Sequence, residues 1–175
     1  MISEKMTEQL NGQIALEGYA SFLYLSMACW CDFQGLAGCA AFMHRQSAEE
    51  RMHMLKIVHY LNEVGGRAIV PAIAQPLADQ VSADQMFKAV YAHEQKVTKS
   101  IHELISLANA ENDYATLNFL QWYVAEQREE EALMRGLLDR IQLIGDSPMR
   151  LYYIDKEVDA INQAAANAAA AETAG

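Results

Sequence analysis

Proline is nearly absent from this chain, with three in 175 residues, and glycine is sparse at nine. Both residues interrupt helices, so their scarcity points away from a turn-rich all-β fold and toward long helices. Cysteine is equally scarce. Cys29, Cys31 and Cys39 are odd in number and lack the spacings of zinc sites or redox pairs, which leaves them as buried small hydrophobes in a reducing cytosol. Basic residues are outnumbered, 13 Lys and Arg against 23 Asp and Glu, for a net charge of −10. That balance excludes sequence-independent nucleic-acid binding and favours solubility and the attraction of cations. Long hydrophobic runs are missing too. The longest, Gly18 to Cys31, is too short to span a bilayer and begins beside Glu17, while Met1 to Leu10 has no apolar segment of the signal-peptide kind. The expectation is a cytoplasmic protein without membrane partners.

What is present is a helical composition, 52% hydrophobic and rich in Ala, Leu, Glu and Gln, at a length that suits one domain with a substantial core. Five helices can be read. The first runs from Ser3 to a turn at Gly35 to Gly38, the second from about Cys39 to Val64, and the third from a Ser82–Gln85 capping pair to about Ala110. The fourth follows the Asn112-Asp113 turn and ends at Ile144, and Ser147-Pro148 opens a shorter fifth. Short turns after helices one and three make two antiparallel hairpins. The stretch from Gly65 to Val81 holds Pro71 and Pro76 and should be extended. At about 3.3 Å per residue it reaches roughly 50 Å, longer than the ~40 Å of a ~28-residue helix, so it can carry the chain along the whole bundle. Residues 1–145 thus form a four-helix bundle with one long crossover. Residues 146–175 add, within the same domain, a short helix with an apolar stripe at Leu151, Ile154, Val158 and Ile161 and an alanine-rich end expected to fray.

A pattern of acids appears twice along these helices. Glu17 precedes Glu50 by 33 positions, and Glu94 precedes Gln127 by the same 33. Glu49, Glu50 and His53 recur 77 positions later as Glu126, Gln127 and Glu130. Residues three apart share one helix face, so two packed hairpins would converge these groups on one point. The helical registers put them inward. Helix two reads Met43, Gln46, Glu50, His53, Ile57 along its core stripe, and helix four reads Leu120, Tyr123, Gln127, Glu130, Met134. Glu17 follows Leu10 and Ile14 on helix one, and Glu94 sits between Val90 and Val97 on helix three. Burying an unpaired carboxylate costs several kcal/mol, and no Lys or Arg lies on these stripes. Two divalent cations would balance four carboxylates, and hard oxygen ligands with one imidazole suit iron.

These residues, spacings and crossover resemble the non-haem bacterial ferritins, in the ferritin-like di-iron carboxylate family, over nearly the whole chain. The resemblance implies that Glu17, Glu50 and His53 hold a first iron, with Glu50 bridging to a second that Glu94 and Glu130 complete. Gln127 matches the glutamine beside the dioxygen position, and Tyr24 the tyrosine that hydrogen-bonds near the centre and supplies an electron. Glu49, Glu126 and Glu129 match a third iron site that shares Glu130. The implied activity is ferroxidase: oxidation of Fe(II) by dioxygen or peroxide at the paired site, with Fe(III) mineral stored in a shell of 24 subunits.

Related families fit less well. Bacterioferritin carries a second Glu-x-x-His motif where this chain reads Gln127-x-x-Glu130, and its haem-binding methionine follows the bridging glutamate where Arg51 stands here, so no haem is expected. DNA-binding mini-ferritins place their ligands at a dimer interface and lack a fifth helix, and rubrerythrins show two Glu-x-x-His motifs. A non-catalytic helical interaction protein would carry its acids on exposed faces. His44, His59, His93 and His102 are read as surface or packing residues, and Trp122 as packing near the site.

Overall fold

The computed structural model describes residues 2–173, with side chains through residue 167. Among the described residues every regular element is a helix: α1 (Glu4–Phe33), α2 (Ala37–Glu63), α3 (Ala83–Glu111), α4 (Tyr114–Leu143) and α5 (Arg150–Thr173). The all-α bundle expected from composition and periodicity is the fold observed. Three N-caps follow from side-chain chemistry. Ser3 accepts from Met6 N, Ser82 from Gln85 N and Asp113 from Thr116 N, each satisfying an otherwise orphaned amide.

The boundaries shift in two places. Helix α2 starts at Ala37 rather than near Cys39, because Gly35, at φ 75°, completes the reversal early. Gly38 is therefore inside α2, not in the turn, and its role is proximity: a Cβ there would collide with the Asp155 carbonyl and lie 2.7 Å from Asp159 Cβ on α5. Pro148 and Met149 form a turn ahead of α5 instead of its first helical residues, although Ser147 Oγ still accepts from Met149 N at 3.2 Å. Helix α5 continues through the alanine-rich stretch to Thr173, following alanine's intrinsic preference, and so is longer than the short helix expected. The last two residues lie outside the described part.

Helices α1 and α2 pack as one hairpin and α3 and α4 as the other. The extended segment between them runs along α1. Asn11 clamps its start by donating to Arg67 O (2.9 Å) and accepting from Ile69 N (2.7 Å), and Ser26 holds its far end by donating to Leu77 O (2.8 Å). The two anchors are roughly 22 Å apart along α1. The chain is thus returned to the start of α2 before α3 begins, so α2 and α3 run in the same direction, antiparallel to α1. Ile154 and Val158 of α5 are buried against the bundle end, whereas Leu151 remains 45% exposed.

By length and composition α1 could cross a membrane, but its buried face carries Gln13 and Glu17 and packs in the bundle. The core is split in two. One apolar cluster, around Tyr24, Phe42, Met86 and Phe87, fills the end near α5. The other, around Leu10, Ile57, Ile101 and Leu120, fills the opposite end. Between them lies a polar layer.

Candidate metal centre

Each helix of the bundle contributes to that layer. Glu17, Glu50, Glu94 and Glu130 are buried at 0, 1, 1 and 4% exposure, with His53 at 6% and Gln127 at 3%. Four carboxyl groups inside a protein would be prohibitive as bare charges, and the surroundings answer this by supplying donors to Glu17, Glu94 and Glu130. The Gln13 amide donates to Glu17 Oε1, and Tyr24 OH donates to Glu94 Oε1. Gln127 Nε2 donates to Glu94 Oε2 at 3.1 Å, and Gln46 Nε2 donates to Glu130 Oε2 at 3.1 Å.

The remaining atoms have no such partners. Glu17 Oε2, Glu50 Oε1 and His53 Nδ1 are fully buried and form no hydrogen bond. They belong to side chains whose ligand atoms lie within 4.8 Å of one another. His53 Nδ1 is 3.4 Å from Glu50 Oε2 and 4.0 Å from Glu17 Oε2. Buried polar atoms are ordinarily paired, and unpartnered ones on three side chains that cluster so tightly are the arrangement a cation completes. Two carboxylates and an imidazole suit iron, manganese or zinc rather than a soft ion. Glu94 and Glu130 stand close enough to act electrostatically on Glu50, but outside this tighter group.

A second group joins Glu49, His53 and Glu126, half-buried except for His53, with His53 Nε2 at 3.9 Å from Glu126 Oε1. The two ring nitrogens of one histidine thus face two different acid clusters. Glu129 is not brought in. Its side chain is 69% exposed, 3.3 Å from the Arg128 guanidinium.

Electrostatics follow the geometry. Burial, and next the charge of Glu50, holds Glu17 well above the ordinary carboxylate range. Glu50 is raised by burial and by the charges of Glu94 and Glu130. Glu94 is raised by burial, with Tyr24 and Gln127 pulling it back. Glu130 is pushed up to about 8 by burial and by Glu49 and Glu94. Without a cation burial thus favours the protonated form of these carboxyl groups, and a bound divalent ion would displace such protons.

Sequence reasoning assigned no role to Gln13, Gln46 and Tyr123. Each sits one helical turn before Glu17, Glu50 or Gln127, and a polar residue there on a core stripe was the available signal. His93 is buried between Tyr19 and Tyr24, at 6.0 Å from each ring, with burial lowering its pKa to about 4. It packs, as expected. Trp122 stacks on Tyr123 at 4.3 Å and lies 5.6 Å from the His53 ring.

Residues 7–144 match the family model of the ferritin-like domain. The bacterial non-heme ferritin of Escherichia coli is 41% identical over 162 residues, 93% of this chain and 98% of the relative. That of Campylobacter jejuni is 43% identical over 158 residues, 90% and 95%. Among solved structures, an open pore ferritin from the hyperthermophilic archaeon Archaeoglobus fulgidus superposes with a TM-score of 0.87 at 46% identity, covering 91% of this chain and 98% of that one.

Proposed function

The chain belongs to the ferritin family, and from that membership we propose that it stores iron, taking Fe(II) as substrate and oxidising it at the buried carboxylate centre. The observation that carries this reading is the convergence of Glu17, Glu50 and His53, all buried with ligand atoms within 4.8 Å of one another, while Glu17 Oε2, Glu50 Oε1 and His53 Nδ1 have no hydrogen-bond partner. Glu17, Glu50 and His53 hold one ferrous ion. Glu50, Glu94 and Glu130 hold the other. Two ferrous ions each release one electron to a shared oxidant, dioxygen or peroxide. Carboxylates favour the product because they stabilise the higher charge of Fe(III) more than that of Fe(II).

The chain's own groups set the conditions. Gln13 and Gln46 each hold one oxygen of Glu17 and Glu130, leaving the other for the ion, while Tyr24 and Gln127 orient Glu94 by one oxygen each. Tyr24 donates to Glu94 and stands within reach of the electron transfer. The apolar clusters above and below keep bulk water from the layer. Glu49 and Glu126, with His53 Nε2 between them, take a third ion, which Glu129 joins by turning inward from solvent.

The ferric product mineralises inside a homo-oligomeric shell of 24 subunits, with α5 at the contacts between them. Leu151, Tyr152 and Tyr153 support that placement, each about half exposed on one short helix. Anaerobic addition of Fe(II) followed by air tests the whole reading. Two irons per chain should oxidise in a phase much faster than in protein-free buffer, followed by a stable ferric absorbance. A rate equal to that of buffer overturns it.

A further inference from the structure

A cleft of about 470 Å³ opens between α3 and α4, and Gln127 belongs to both its floor and the carboxylate layer behind it. From the cleft inward runs an unbroken line of hydrogen bonds. Arg135 donates to Glu131 Oε2 at 3.4 Å, and Thr98 Oγ1 donates to Glu131 Oε1 at 2.6 Å. Gln127 Nε2 donates to Thr98 Oγ1 at 3.4 Å and to Glu94 Oε2 at 3.1 Å.

The directions of these bonds are not interchangeable. An ionised carboxylate only accepts, and a hydroxyl has one hydrogen. Glu131, which also accepts from Arg135, takes the Thr98 hydrogen and leaves Thr98 only lone pairs to show Gln127. An amide facing both a lone pair and the Glu94 carboxylate must present its NH2 end to both. Turned over, its oxygen would meet these two acceptors and also the Glu94 backbone carbonyl, to which Nε2 donates at 3.2 Å.

We propose that Thr98 and Glu131 are positioning residues, which lock the Gln127 amide in the one orientation that donates to Glu94 and so fix Glu94 as a metal ligand. A neighbouring hydroxyl on the same helix does the equivalent for the first ion: Ser100 Oγ donates to Gln13 Oε1 at 2.6 Å, leaving the Gln13 NH2 for Glu17. Neither Thr98 nor Glu131 touches the ions. They act through the amide.

This inference rests on the metal-centre reading, so its test uses a binding readout in which the two can fail separately. Co(II) is titrated into the metal-free assembled protein, with occupancy counted by equilibrium dialysis and visible absorption. The parent should bind at least two Co(II) per chain. Thr98→Val should weaken the second by about tenfold, the usual cost of losing an outer partner of a metal ligand. Thr98→Ser, which keeps the hydroxyl, should retain parental affinity, and Glu131→Ala should follow Thr98→Val. Parental affinity in Thr98→Val, or equal losses in the Val and Ser variants, overturns the orienting role. A parent that binds no Co(II) overturns the centre itself, and the relay with it.

Discussion

His53 Nδ1 and Glu50 Oε2 stand 3.4 Å apart one helical turn from each other, and the Nδ1 atom is buried without a hydrogen-bond partner. A pair so placed serves a ligand better than it serves the fold. His53→Ala and Glu17→Ala should each slow the fast phase of Fe(II) oxidation by at least about tenfold, since each removes a ligand outright. Stopped-flow absorbance measures this. Equal rates in variant and parent would remove those residues from the centre.

Removing charge from the layer should help the metal-free fold. Glu17→Gln keeps the shape and relieves a carboxyl that burial and Glu50 hold above its ordinary range. A gain of about 1–3 kcal/mol is expected, raising the melting temperature by several degrees. A lower melting temperature in metal-free calorimetry would contradict this.

The pH dependence has opposite signs with and without metal. Burial and the charges of Glu49 and Glu94 push Glu130 up to about 8 in the fold, from an ordinary carboxylate value of about 4.5 when unfolded. A raised acid favours the fold while protonated there and loses that contribution as pH climbs through the folded value. Metal-free protein should lose stability between pH 4.5 and about 8, by about 1.4 kcal/mol per unit for each such group. Divalent-ion affinity should rise across the same window, because binding expels those protons. Denaturation and Co(II) titrations at several pH values check both slopes.

Glu130, which the family resemblance assigns to both the second and the third ion, should be the more damaging loss. Glu130→Ala should abolish the fast phase, while Glu49→Ala or Glu126→Ala should leave it and remove only the third equivalent of metal. Glu129→Ala should cost less than Glu126→Ala, because Glu129 is 69% exposed and begins outside the cluster. Single-turnover oxidation at two and three irons per chain distinguishes these outcomes.

Gly38→Ala tests the seat of α5. The added Cβ meets the Asp155 backbone, which cannot rotate aside, so α5 must shift. A loss of about 1–3 kcal/mol is expected, together with altered assembly on size-exclusion chromatography. Deleting α5 should leave the bundle folded but change that profile more.

The sequence made the helices and the polar layer legible for one physical reason: a buried acid breaks an apolar stripe, and Glu50 and Glu130 do so at core positions of an unmistakable 3.6-residue period. Glu17 and Glu94 were found by the same means. Gln13 and Gln46 were overlooked because an amide on a core stripe is cheap compared with a charge and attracts less notice. The exposure of Glu129 could not be foreseen, since neighbours on a helix differ by only about 100° and small rotations decide which faces in. The role of Gly38 depends on α5, a contact between segments more than a hundred positions apart, and no local pattern records it.

The acid layer draws one side chain from each of four separate rods, joined in pairs and tied across by a strap along α1. Glu17, Glu50 and His53 lie on one half, and only the second ion, which Glu50 shares with Glu94 and Glu130, would draw on both. An ion seated between them would act as a bolt through both halves, so that loosening the bundle would surrender the load, and taking it up would tighten the frame around it.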